Sequence, residues 1–120
     1  MRALALTLFF ASSVGYAQTD PDPWLGSDKA LHFGVSAGLA GLGYAGTAFF
    51  TDDVKLRLII GGAFSLSLGA AKELADLAGW GHPSWRDFTW DVIGTATGLV
   101  VAWLIDTFVI TPLLVPAPAR

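Results

Sequence analysis

His32, Glu73 and Asp91 are the residues of this chain best suited to chemistry. An imidazole changes charge near neutral pH and can accept or donate a proton. A carboxylate beside it can orient the ring or share that proton. These three are the catalytic candidates, with Glu73 the expected partner of His32. They belong to two polar stretches. Lys72 to Asp91 reads KELADLAGWGHPSWRDFTWD, with four acids, two bases, three tryptophans and a histidine between two almost wholly apolar runs. Asp28-Lys29-Ala30-Leu31-His32 is the other. The two are expected to form one polar site from Asp28, Lys29, His32, Lys72, Glu73, Asp76, Arg86, Asp87 and Asp91.

Each member also has a plainer reading. Lys29, Lys72 and Arg86 can neutralise the acids and lock helices together, and Lys72 stands four residues before Asp76, a helical ion-pair spacing. His32 can be a hydrogen-bonding residue between helices, and Glu73 a salt-bridge partner of Lys29 or Arg86. His32, Glu73, Asp87 and Asp91 offer one nitrogen and several oxygens to a hard or borderline divalent ion. No local spacing such as H-x-x-x-H supports a metal site, and none is expected. His82, in a Gly-His-Pro loop, reads as a solvated loop residue. No nucleophile elbow, phosphate-binding loop or dinucleotide fingerprint is present, and no cofactor is expected.

Composition bounds the setting. The 120 residues make one domain at most. Hydrophobic residues are 53% of the chain and charged residues 14%. Soluble domains carry roughly 25% charged residues, so this chain is well below them. The net charge is -3 without a basic patch, so nucleic acid is not an expected partner. The absence of cysteine removes disulfides, thiolate chemistry and a lipidated N-terminal cysteine.

Residues 1–17 read as a secretory signal peptide. Arg2 is the positive start, Ala3 to Ala11 the apolar core, and Gly15 and Ala17 the small residues before cleavage at Gln18. An uncleaved anchor is the alternative. Either delivers Gln18 onward to the outer side of a membrane. Residues 18–27 form a periplasmic loop rich in proline and glycine, ending at Ser27 or Asp28 as a helix N-cap.

The domain, residues 28–112, is predicted all-α: an antiparallel bundle of three hydrophobic, transmembrane helices. The first runs from about Lys29 to Phe50, with 18 uncharged residues from Phe33 and a row of Gly34, Gly38 and Gly41 for close packing. The second runs from Val54 to Leu77 with Arg57 and Lys72 snorkelling to the interfaces, and Gly79 caps its end. Ser84 caps the third, Trp85 to Ile110, which stops at Thr111-Pro112. Residues 113–120 are an irregular tail.

Short loops make consecutive helices antiparallel, which brings the polar ends of all three to one face. Trp24, Trp80, Trp85 and Trp90 belong at the same level as an interfacial belt. Asp52, Asp53, Lys55, Arg57 and Arg120 occupy the opposite face, and Asp106 near it is expected to be interfacial. Asp28 and His32, Glu73 and Asp76, and Asp87 and Asp91 each share a helix face. Small or hydroxylated residues extend those faces inward: Ser36, Ala40 and Gly43; Gly69, Ser65 and Gly61; Gly94, Gly98 and Ala102.

Over residues 27 to 105, Asp28-Lys29-x-x-His32-Phe33, then Glu73, then Asp87-x-x-x-Asp91-x-x-Gly94 resembles the three-part pattern of VanZ-like membrane proteins. The run from Lys72-Glu73 through Ser84-Trp85 to Trp90-Asp91 is closer still to the related YfiM-like periplasmic lipoproteins. The chain has Asp91 where VanZ-like proteins carry Asn, Asp76 where they carry Gln, and no lipobox cysteine. The resemblance implies an address in the bacterial cell envelope, with VanZ itself tied to glycopeptide resistance.

Two functions are therefore expected to compete. The first is a binding or structural module of the inner membrane, its polar site facing the periplasm, with membrane lipids, a cell-wall or lipid-linked ligand and helix-mediated self-association as its partners. The second is an enzyme acting on a lipid-linked or head-group substrate, with His32 as acid or base, Glu73 and Asp91 beside it, and Arg86 or Lys72 holding phosphate.

Overall fold

A computed structural model describes residues 20–120; the signal-peptide reading of residues 1–17 lies outside them. Among the described residues the chain is all-helical, with three long helices and no strand. The first, α1, is Ser27–Thr47. The second, α2, is Val54–Ala75, prolonged by a wide π turn at Asp76–Trp80. The third, α3, is Trp85–Ile105, prolonged by a second wide turn at Asp106–Ile110 into a last single turn, α4, at Thr111–Leu114.

Local chemistry explains most of these boundaries. Asp53 accepts hydrogen bonds from the backbone of Lys55 (2.9 Å) and Leu56 (3.4 Å), and so starts α2. The Ser84 hydroxyl does the same for α3, accepting from Asp87 N at 3.1 Å. Gly79 has φ 103°, a left-handed conformation that glycine adopts freely, and it breaks α2 where expected. Three boundaries differ from the sequence expectation. Neither Ser27 nor Asp28 caps α1: Gly26 precedes it without a side-chain bond, because the Asp28 carboxylate turns to Lys29. Regular helix in α1 ends at Thr47 and gives way to a three-residue turn before Thr51. The third helix does not stop at Pro112. Proline lacks an N–H and crowds the preceding turn. The chain widens first, with Thr111 N donating to Asp106 O, and then continues to Leu114.

The helices pack through their backbones. α1 runs antiparallel to α2, and α2 antiparallel to α3, so α1 and α3 are parallel and share the largest interface. Gly94 and Gly98, one turn apart on α3, lie directly on the backbone of Phe33 and Ala37 of α1; a Cβ at either would collide with a carbonyl oxygen. Gly61 of α2 meets α1 equally closely, its would-be Cβ 2.8 Å from both Ala40 O and Tyr44 N. The row predicted to serve α1 does not. Gly34, Gly38 and Gly41 have open space around them, and of the α1 glycines only Gly43 touches another helix. They share a face, as their spacing requires, but it is the outer one.

The distribution of polarity is inverted. Among the described residues the shielded side chains are nine polar or charged ones, against two apolar ones, Ala40 and Tyr44. Large apolar side chains such as Leu42, Ile59, Phe64, Leu74 and Val100 point outward. Two helices are long and apolar enough to cross a membrane, Val54–Trp80 and Trp85–Leu114, and little of either is buried in the protein.

Candidate functional site

Lys29 is the centre of one end of the bundle. It sits in the first turn of α1, only 2% exposed. Its ammonium reaches three carboxylates: Asp22 of the N-terminal loop, Asp28 at 2.7 Å and Asp87 of α3 at 2.6 Å. Asp22, Asp28 and Asp87 are close enough together to share a metal ion. The cation they share is Lys29.

Asp22 ties the loop into the same cluster. Its other oxygen accepts from Ser84 Oγ at 2.6 Å, so one carboxylate joins the loop, α1 and the cap of α3. The hydrogen bond from Lys29, then that from Ser84, holds the Asp22 carboxyl below its usual range. Arg86 fastens the loop from outside. It pairs with Asp20 at 2.8 Å and donates to the Asp22 carbonyl. Its guanidinium also lies over the Trp24 ring. Trp24 packs edge-on against Trp85 and accepts at its carbonyl from Trp90 Nε1. Trp80 projects into the surroundings.

One turn further in, His32 stands between two acids of α3. Its Nδ1 lies 2.9 Å from Asp91 Oδ1 and its Nε2 3.2 Å from Asp87 Oδ2. Asp87 and Asp91 are four residues apart, and that spacing lets one helix face grip both sides of the ring. A neutral imidazole has one N–H. It can donate to only one of the two acids, and the Nδ1 contact with Asp91 is the one with hydrogen-bond geometry. Ser36 Oγ donates to the same Asp91 oxygen at 2.9 Å. Ser65 continues the polar line, bonding Ser36 O at 2.9 Å and Thr95 Oγ1 at 2.7 Å.

Glu73, the expected partner of His32, is used elsewhere. One of its oxygens accepts from Ser84 N at 2.7 Å and the other from Lys72 at 3.0 Å, so it closes the turn between α2 and α3. Lys72 curls back to Asp76 (2.7 Å) and Asp87 (3.2 Å) and stays 40% exposed. Asp28 shares no bond with His32; Lys29 has captured it. Arg86 is likewise committed to the loop rather than to His32. Of the expected set, the structure joins Lys29, His32, Lys72, Asp87 and Asp91 into one network and leaves Glu73, Asp76, Asp28 and Arg86 around its margin. Asp22, Ser84, Ser36, Ser65 and Thr95 complete it. Asp22 and Ser84 were legible only as a loop acid and a helix cap.

Asp91 is 3% exposed, and its Oδ2 meets no hydrogen-bond donor among the described residues. It lines a cavity of about 260 Å³ between α1 and α2, with His32, Ser36 and Lys72 as the other polar groups and Leu31, Val35 and Leu68 at its rim.

The opposite end carries a second polar cluster. Arg57 of α2, expected to snorkel outward, is buried. It donates to Thr51 O (2.8 Å), to Asp106 of α3 (3.0 Å) and to Asp52 (3.1 Å). Tyr44 of α1 donates to the same Asp106 oxygen at 2.6 Å. Asp106, expected at the interface, is thus a tie between all three helices. The signal was one lone polar residue at matching depth in each apolar segment.

Comparison of the chain with protein-family models, with curated proteins and with solved structures finds no match.

Proposed function

We propose that this chain is a three-helix integral membrane protein of a bacterial cell envelope. In this reading it lies in the inner membrane with the Lys29–Asp91 end at the periplasmic surface, and that end binds a membrane amphiphile by its head group. The observation that carries the reading is the inversion of polarity: charged and hydroxylated side chains fill the centre, while leucine, isoleucine, valine and phenylalanine face out. In water that surface would be a severe aggregation liability. In lipid it is the required one, with ionisable groups turned to the bundle interior. α1 is not among the helices that are apolar enough on their own, but Lys29 is paired with Asp22, Asp28 and Asp87 and His32 sits between Asp87 and Asp91, which lowers the cost of its insertion.

Binding is favoured over catalysis because both His32 nitrogens are already engaged by carboxylates. The resemblance to VanZ-like and YfiM-like proteins agrees with an envelope address and rests on the motif residues alone. Carbonate extraction of membranes tests insertion: the protein is expected in the pellet, and release into the supernatant contradicts the reading. A reporter fused after Arg120 is expected on the cytoplasmic side. An active reporter in the periplasm would refute the three-span topology.

A further inference from the structure

The cavity beside Asp91 has a defined chemistry. Its one uncommitted protein group is an acceptor, the Asp91 Oδ2 oxygen, buried and facing Gly69 of α2, where a built Cβ would fall 2.8 Å from it. The donors around it are spoken for. Ser36 gives its hydroxyl to Asp91 Oδ1, and Lys72 gives its ammonium to Glu73, Asp76 and Asp87. The end of the bundle is acidic as a whole: Asp20, Asp22, Asp28, Glu73, Asp76, Asp87 and Asp91 face Lys29, Lys72 and Arg86. Even with His32 counted as a cation, seven negative charges meet four positive ones. An anion entering this cavity would meet a surplus of its own sign. For a cationic donor the nearest unpaired acceptor is the Asp91 Oδ2 oxygen, which is covered by Gly69 and is reached when the carboxylate turns toward the cavity.

Shape narrows the choice further. The cavity measures about 260 Å³. That is room for roughly eight or nine water-sized groups, which suits a small head and excludes a sugar chain. Leu31, Val35 and Leu68, at its rim, are all exposed on the apolar flank of the bundle. Anything seated there can keep an attached hydrocarbon chain against that flank.

From this geometry we propose that the cavity is a binding site for a primary ammonium group, which donates to Asp91 Oδ2 and is carried on an amphiphile whose tail leaves between α1 and α2. The assignment rests on the membrane reading above and adds to it the ligand class. An aminophospholipid head and a free alkylamine share this chemistry.

The test uses the full chain, purified in detergent from the membrane pellet, with native mass spectrometry to count bound molecules. Phosphatidylethanolamine, phosphatidylglycerol, free ethanolamine and dodecylamine are the probes. The expected order is phosphatidylethanolamine well above phosphatidylglycerol. Asp91→Asn, which keeps the shape and removes the charge, is expected to weaken phosphatidylethanolamine by about tenfold or more. Gly69→Ala, which keeps every charge but crowds the Asp91 carboxylate from the α2 side, is expected to act in the same direction and is a second variant should the first misfold. Dodecylamine binding without phosphatidylethanolamine binding would assign the site to free amines and reject the lipid source. Equal binding of phosphatidylglycerol and phosphatidylethanolamine, or wild-type binding by both folded variants, overturns the proposal while leaving membrane insertion intact. Failure of carbonate extraction to retain the protein overturns the underlying reading instead.

Discussion

The two ends of the bundle solve the same problem differently. At each, a cation from one helix meets acids from another and all three helices are tied. The Tyr44–Arg57–Asp106 end is closed in its bonding, although it borders an apolar cavity of about 740 Å³: one guanidinium, one half-buried carboxylate with its tyrosine donor, and Asp52 outside. The Lys29–His32–Asp91 end is open. It has more acids than bases, a histidine pinned between two of them, a loop strapped across it and a carboxylate oxygen left over beside a cavity. A cluster whose buried polar atoms are all bonded has finished its work when the helices are joined. One with a remainder still has capacity for something else.

The sharpest way to break this contrast is to remove the cation from each end. Lys29→Met strands three carboxylates around an apolar side chain and is expected to cost about 3–5 kcal/mol, enough to abolish folding of a marginal bundle. Reversing it by a second change is not expected to work, because Lys72 and His32 still depend on Asp87. The closed end should behave otherwise. Arg57→Met alone destabilises, but Arg57→Met with Asp106→Leu, which removes both charges, is expected to return stability to within about 1 kcal/mol of wild type. Thermal unfolding in detergent compares the three. A double variant as damaged as Lys29→Met would erase the distinction between the ends.

A smaller effect is expected from Tyr44→Phe. It removes one donor to Asp106 and leaves Arg57 in place, for a loss of about 0.5–1.5 kcal/mol in the same measurement. A loss as large as that of Lys29→Met would mean the closed end is organised by the tyrosine rather than by the ion pair.

The smallest concerns the strap. Because Lys29 and Ser84 hold the Asp22 carboxyl below its usual range, its contribution to stability is fully present above the ordinary aspartate value. It is lost as pH falls through the lower, folded value, that is, below about pH 4. Trp24, beside Arg86 and Trp85, reports on the strap by fluorescence. Acid release is expected in the wild type and should be absent in Asp22→Asn, where the loop is already loosened at neutral pH. An unchanged acid transition in that variant would assign it to another carboxylate.

Much of this arrangement was legible in the residues. Helical spacing gave three helices and brought Lys29, His32, Lys72, Asp87 and Asp91 to one end, and the small-residue tracks through Ser36, Ser65 and Gly94 do run through the centre. Spacing reveals which residues share a face but not which neighbour that face meets. Gly34, Gly38 and Gly41 therefore looked like a packing row, and Glu73 like a partner of His32. Arg57 and Asp106 are 49 residues apart, so no local pattern could pair them; only the depth of each within its helix hinted at it. The wide turn ahead of Pro112 was hidden for another reason: a proline forbids one bond but does not dictate how the backbone adapts.

The contact of Gly94 and Gly98 with the backbone of Phe33 and Ala37 has a consequence for the order of events during synthesis. The tightest interface joins α1 to α3, the first and third of the long helices among the described residues. Until α3 emerges, α1 holds Lys29 with Asp22 and Asp28 alone and His32 with neither of its acids, and α1 is not among the helices apolar enough to cross a membrane by themselves. On the proposed membrane reading α2 is apolar enough to enter a bilayer alone, whereas α1 is expected to wait at the surface. On that reading its insertion is expected late, coupled to the arrival of Asp87 and Asp91. A ribosome stalled before Trp85 should hold a chain with α2 embedded and α1 still accessible from water.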